Sequence, residues 1–291
     1  MWMRMLVSQV VRQAAEDKVK GLLMDTVQGQ AEPVTGGELT PDDLKCDVML
    51  VFGSRSEAGG WVDQMQEAQQ WPMDEAVLYR GQSGDCRCLA VEAKGDQPLG
   101  PFLQQLLPLA TPRLVVVAGF AVALSEELSR RAILLATTMK SKGDSESITS
   151  TIDLGELTDD PKSGVFRGVG WSQSEFPKAG DERVALFRDT QARFCDPDSY
   201  EIAQICEQFK APWVVIRVLT ERANETPTLP LKALLSQETV AAKVGAAVSA
   251  LWQEPKSATQ LWQLHEDAVK ASDRLAKFVR VFLAGMERED V

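Results

Sequence analysis

Four acids and one arginine are the residues of this chain best placed to do chemistry. Two of the acids stand together in Asp196-Pro197-Asp198, at the head of an apolar helix expected over 199–209. An apolar run, WVVIRV over 213–218, follows with Arg217 inside it, and Glu221 stands just past its end. The fourth acid, Glu57, sits in a glycine-flanked loop, VFGSRSEAGG, after an earlier apolar run. His265 is the single histidine, so Ser-His-Asp triads and histidine-rich metal sites are nearly excluded and the chemistry falls to carboxylates. Carboxylates do acid–base work when their surroundings separate their proton affinities. A buried strand that delivers an acid to its C-terminal edge is where open α/β sheets place such groups. The same residues also have a purely structural use: Asp196 and Asp198 suit a helix N-terminal cap, and Glu57 suits a solvated loop.

Composition narrows the setting. The 291 residues are 44% hydrophobic and 25% charged, an ordinary globular balance with ample apolar material for a core. A formal net charge of -11 argues against nucleic acid as a partner, because no basic excess exists to displace counterions. No apolar run is long enough to cross a bilayer. The N-terminal stretch lacks a small-residue cleavage site and becomes charged early, so no signal peptide and a cytoplasmic location are expected. The five cysteines, Cys46, Cys86, Cys88, Cys195 and Cys206, form no C-x-x-C pair and read as reduced thiols. No cofactor and no metal are expected.

The elements that must position the acids follow from periodicity. Apolar positions close to helical spacing over 1–28 predict an N-terminal helix, and the Pro-, Gly- and acid-rich segment 32–43 reads as a linker. Strands are expected over 47–52, 88–93, 114–118, 132–137, 164–171 and 213–218. Helices are expected over 60–70, 100–109, 181–190, 199–209, 240–252 and 264–283. The polar stretch 140–150 reads as a loop. Short apolar strands separated by helices predict a single α/β domain over 45–291, a central mixed sheet flanked by helices, with residues 1–44 as a helical extension.

The stretch DPDSYEIAQICEQFKAPWVVIRVLTERAN resembles the signature of the purine nucleoside phosphorylase and methylthioadenosine/adenosylhomocysteine nucleosidase superfamily. There the pattern is E-M-E-x-x-x-I-A, then P-F-x-x-x-R, then S-D. The resemblance covers roughly residues 47 to 285 and implies a nucleoside phosphorylase-like fold. It implies that Glu57 activates water, that Asp198 holds the ribose hydroxyls beside Asp196, and that Glu221 protonates the departing purine. It further implies that Phe176, in WSQSEFPK, stacks on the base and that Arg217 orients the neighbouring carboxylates. Departures accompany it. E-M-E is Asp196-Pro197-Asp198, S-D is Thr220-Glu221, and the trailing aspartate is Asn224. The glycine-rich strand end is Gly119-Phe120-Ala121-Val122-Ala123, with side chains where a ligand or tight turn would favour glycine.

The expected function is therefore hydrolysis of the N-glycosidic bond of a purine nucleoside or 5′-thio-nucleoside. Phosphorolysis is less favoured because no cluster of arginines marks a phosphate pocket. The resemblance implies a homodimer. Two other classes stay open: a nucleoside-binding or scaffolding protein of the same fold that has lost catalysis, and an interaction protein working through its N-terminal helix.

Overall fold

The most apolar runs of the sequence become the middle of one sheet. A computed structural model describes residues 33–95, 97–142, 146–154, 159–225 and 255–289, and in the last segment the side chains of 265–285. The helices expected over 1–28 and 240–252 lie outside the described residues. Strand β2 (Val48–Phe52) and strand β6 (Leu114–Ala123) are buried at every position, and strand β11 (Trp213–Glu221) at all but Thr220. Strands buried on both faces need no polar alternation, and these run parallel: β2 on β6, and β6 on β11. Their side chains alternate between two cores. Val115, Val117, Ala121, Val215 and Leu219 face one, and Val116, Ala118, Phe120, Ile216 and Val218 face the other.

Helices close each face. Helix α3 (Gly100–Ala110) and helix α5 (Ser199–Gln208) cover the first core with Leu103, Leu107, Ile202 and Ile205. Helix α2 (Arg55–Val62) and helix α6 (Pro255–Glu289) cover the second with Ala58, Trp61, Leu275 and Val279. Each leucine, isoleucine or valine among them contributes roughly 1.5–3 kcal/mol when taken out of water.

The remaining strands extend the sheet in both directions. They are β1 (Val34–Thr35), β3 (Gln66–Pro72), β4 (Ala76–Ser83), β5 (Cys86–Ala93), β7 (Ile133–Ser141), β8 (Ile148–Thr149), β9 (Val165–Ser172) and β10 (Ala192–Asp196). The order is β1-β3-β4-β5-β2-β6-β10-β9-β7-β11, with β8 on β7, and β11 returns to pair with β6. The last five strands of that order therefore close on themselves. The sheet is mixed: β3, β4 and β5 form an antiparallel meander, and β7 runs antiparallel to β11. Parallel pairing of β2, β6 and β11 brings their C-terminal ends to one edge, which is where the site lies.

Three expectations need correction. The helix expected over 60–70 ends at Val62, and β3 begins at Gln66 as a largely exposed strand hydrogen-bonded to β4. Trp61, Val62 and Met65 give helical spacing, but sheet pairing decides the conformation beyond them. The 32–43 segment read as a linker contains β1, which pairs with β3, and runs into helix α1 (Pro41–Leu44); the Trp71 indole donates to the Gly37 carbonyl at 3.0 Å. The 140–150 loop contains β8 on the edge of β7.

One contact sets how α2 meets α6. The Ser272 hydroxyl accepts the Gly60 N–H at 2.9 Å and donates to the Glu57 carbonyl at 3.0 Å. A Cβ at Gly60 would lie 2.8 Å from the Ser272 carbonyl group, whereas one at Gly59 would meet nothing within 4 Å. Gly60→Ala is therefore expected to lower unfolding free energy by roughly 1–3 kcal/mol in a urea melt. Gly59→Ala should leave it unchanged or raise it by up to about 1 kcal/mol through helix propensity.

Candidate active site

Arg217 is the centre of the site. Strand β11 carries it into the first core at 1% side-chain exposure, where an unpaired cation would be prohibitive. Its Nε donates to Asp196 Oδ2 at 3.2 Å, and its Nη2 to Asp198 Oδ1 at 2.6 Å and Ser199 Oγ at 2.7 Å. Its Nη1 stands 3.9 Å from Glu57 Oε1. Three carboxylates from three separate elements thus surround one guanidinium.

The DPD turn divides the labour between its two acids. Asp196 closes β10 and is fully buried; its Oδ1 accepts the N–H groups of Asp198 and Ser199 at 3.1 and 2.9 Å and the Ser172 hydroxyl at 2.9 Å. It therefore caps helix α5 while its other oxygen binds Arg217. Asp198 occupies the N-cap position yet makes no side-chain cap bond. Its carboxylate turns to Arg217 and keeps 28% side-chain exposure, the most open acid of the group.

Glu57 comes from the opposite side, in the first turn of α2, not in a solvated loop. Its Oε1 accepts the Phe120 N–H at 2.6 Å and its Oε2 the Ser54 hydroxyl at 3.2 Å. Two glycines make the meeting possible. A Cβ at Gly53 would lie 3.1 Å from both Asp198 Oδ2 and Glu57 Oε2, so the two carboxylates converge there. A Cβ at Gly119 would overlap Arg217 Nη1 and stand 2.5 Å from Glu57 Oε1. Glycine is thus retained in the Gly119–Ala123 strand end where space demands it, and the Phe120 side chain turns into the second core.

Burial, with the Asp198 charge adding, pushes the Glu57 carboxyl up to about 7 against the opposing pull of Arg217 and the Phe120 N–H. Burial likewise raises Asp198, helped by the charge of Asp196 and resisted by Arg217. Burial works against the Arg217 charge, but Asp196, Asp198 and Glu57 outweigh it and hold the guanidinium firmly protonated.

Glu221 and Phe176 lie in a second cluster. The register of β11 on β6 shifts between Leu219 and Glu221, so Glu221 stands opposite Val122 and not one position further along. Its Oε2 accepts Arg183 Nη2 at 2.6 Å. Arg183, from helix α4 (Asp181–Thr190), is 2% exposed and also donates to the carbonyls of Pro177 at 3.0 Å and Arg222 at 2.8 Å. Phe176, next to Pro177, is half-buried against the small core of Val122, Leu124, Ala192 and Cys195. Nothing in the sequence singles out Arg183, Ser199, Ser54 or Ser272. Arginine and serine are common, and only burial distinguishes Arg183 from Arg188 in the same helix. Among the described residues, no group of three or more His, Cys, Asp or Glu side chains is arranged to hold a metal ion.

Two outcomes follow from this electrostatics. Arg217→Met would leave buried carboxylates uncompensated and is expected to lower unfolding free energy by about 3–5 kcal/mol, read by denaturant titration. The Glu57 pKa is higher folded than the usual 4.5, so its contribution to stability is fully present below that value and lost as pH rises through about 7. The stability of Glu57→Gln relative to the parent should therefore improve between pH 5 and pH 8, by on the order of 3 kcal/mol, in paired thermal or urea melts.

No protein-family model matches this sequence, and no curated protein matches it. Solved structures do match. The 5′-methylthioadenosine/S-adenosylhomocysteine nucleosidase of S. pneumoniae, solved with a transition-state inhibitor, superposes at TM-score 0.57 and 13% identity over 81% of this chain and 97% of that one. The Helicobacter pylori enzyme of the same name gives 0.55 and 14% over 82% and 97%. Helicobacter pylori futalosine hydrolase gives 0.54 and 14%, again over 82% and 97%. The chain thus has the fold of the 5′-methylthioadenosine/S-adenosylhomocysteine nucleosidases at a low level of sequence identity.

Proposed function

We propose that this chain is a nucleosidase-type hydrolase that breaks the N-glycosidic bond of a purine nucleoside or 5′-thio-nucleoside with water. The observation that carries the reading is the convergence of Glu57 and Asp198 on Gly53, beside a guanidinium that fixes Asp198 and a backbone N–H that fixes Glu57. A glycosidic bond breaks through an oxocarbenium-like state, so the ring hydroxyls need a carboxylate and the anomeric carbon needs an activated water. Asp198, the partly exposed acid, holds the ribose. Glu57, with its proton affinity near neutrality, takes the proton from water as oxygen bonds to C1′. The bond to the base breaks with its electron pair going to the ring nitrogen, and Glu221 supplies the proton the base requires. Arg217 keeps the carboxylates in register and does not touch the substrate. The fold shared with known N-glycosidic hydrolases supports this reaction class. A homodimer and a cytoplasmic location belong to the same proposal.

A second reading rests on the Glu221–Arg183 pair. Glu221 Oε2 is already engaged by the buried Arg183 guanidinium at 2.6 Å, and a chain that binds nucleosides without turnover would tolerate that engagement. Free-base release from purine nucleosides and 5′-thio-nucleosides, with and without phosphate, separates the two. Hydrolysis predicts phosphate-independent release whose rate rises with pH through about 7, and Glu57→Gln should lower kcat by on the order of 100- to 10,000-fold. Ligand-induced thermal stabilisation without any release would favour the binding protein.

A further inference from the structure

We propose that Ser272, on the C-terminal helix α6, is a positioning residue that sets the height and aim of Glu57 in the reaction site. The inference rests on the role given above to Glu57. Its basis is a hydroxyl from one helix seated on a single turn of another. Ser272 is 3% exposed, and its Oγ both donates to the Glu57 carbonyl at 3.0 Å and accepts the Gly60 N–H at 2.9 Å. The hydroxyl's one proton and a lone pair are thereby used on the two ends of the turn that carries the acid. Ala58 and Trp61 of the same turn pack in the second core, and the Ser272 hydroxyl adds a polar tie to the Glu57 main chain itself.

Two further features show that the approach is built into the sequence. Gly60 is the residue facing Ser272, and a Cβ there would collide with the Ser272 carbonyl group, so this separation requires glycine. On α6 the neighbours Ala271 and Ala276 are small and buried, while Leu275 and Val279 lock the helix into the core under α2. Small residues at the crossing let the helices come close enough for the hydroxyl to reach, and the larger ones fix their rotation.

The leverage comes from geometry at the other end of the side chain. Glu57 Oε1 must meet the Phe120 N–H at 2.6 Å while staying 3.9 Å from Arg217 Nη1. Loss of the Ser272 anchor lets the first turn of α2 shift, and tenths of an ångström there weaken both contacts. The charged groups that face Glu57 are Arg217 from β11 and Asp198 from the turn before α5. On its own helix stands Arg55, turned to Glu92, and at that helix's C-cap stands Asp63, between the charges of Arg55 and Asp273 of α6. Arg217, the Phe120 N–H and the Ser54 hydroxyl all favour the ionised carboxylate, and weakening the first two would let the proton be held more tightly.

The test compares Ser272→Ala and Ser272→Thr with the parent protein by two readouts. The first is the pH–rate profile of free-base release from methylthioadenosine. Ser272→Ala is expected to lower kcat about tenfold with KM within about twofold, and to move the midpoint of the acidic limb upward. Ser272→Thr, which keeps a hydroxyl, should recover most of both. The second readout is the titration of the Glu57 side-chain carboxyl by 13C NMR, assigned with Glu57→Gln, and it requires no turnover. Its midpoint should move upward in Ser272→Ala and return in Ser272→Thr. A folded Ser272→Ala whose Glu57 titrates as in the parent would overturn the proposal. So would a threonine variant that behaves no better than alanine while remaining folded. If the parent releases no base from methylthioadenosine or from any other purine nucleoside or 5′-thio-nucleoside, hydrolysis fails as the function, and the titration alone still decides whether Ser272 positions Glu57.

Discussion

A guanidinium sealed inside the sheet is the constraint from which the site follows. Arg217 occupies a strand position whose neighbours along β11, Val215 and Leu219, are core residues on the same face. A charge placed there demands anionic partners, and removing one of them is far more damaging than trimming a surface ion pair. Asp196, Asp198 and Glu57 supply those partners from the end of β10, the turn before α5 and the first turn of α2. Three acids about one arginine cannot all be compensated equally. Asp196 and Asp198 take the closest donors, while burial, only partly offset by the more distant Arg217, raises the Glu57 proton affinity close to neutrality. A structural requirement and a chemically useful acid thus arise from the same imbalance.

Parallel strand pairing brings the groups together, and glycine lets them touch. The ends of β2, β6 and β11 meet at one edge because β6 runs parallel to both of its long partners. Gly53 and Gly119 then leave room for carboxylate and guanidinium atoms where any Cβ would intrude. Gly60 does the same for the α2–α6 crossing that supports the turn bearing Glu57. These three positions have different backbone surroundings but one physical reason, close approach.

Much of this was legible in the sequence. The runs at 47–52, 114–118 and 213–218 are too apolar to be anything but buried, and the acids flanking them stand out because so few other reactive residues exist. Asp196, Asp198, Arg217 and Glu57 do come together in one cluster. Less legible was anything decided by tertiary packing. Gly59-Gly60 lowers helix propensity, so the segment around Glu57 reads as loop, yet α2 forms there because the second core and Ser272 hold it. Strand β3 looks helical by spacing and becomes a strand because β4 offers it hydrogen bonds. The Glu221–Arg183 pair was invisible because it depends on a register shift at Thr220 that no local pattern announces.

The site as described consists of two parts, an acid cluster about Arg217 and an ion pair about Arg183 with Phe176 close in sequence to one of its carbonyl anchors. Their joint use requires a ligand that reaches both. The most direct measurement is a crystal structure with a C-nucleoside, whose carbon–carbon glycosidic bond resists hydrolysis. Ribose hydroxyls are expected within hydrogen-bonding distance of Asp198 and the anomeric carbon facing Glu57, with the base directed toward Phe176 and Glu221. A nucleoside bound away from Asp198 and Glu57, or none bound at saturating concentration, would contradict it.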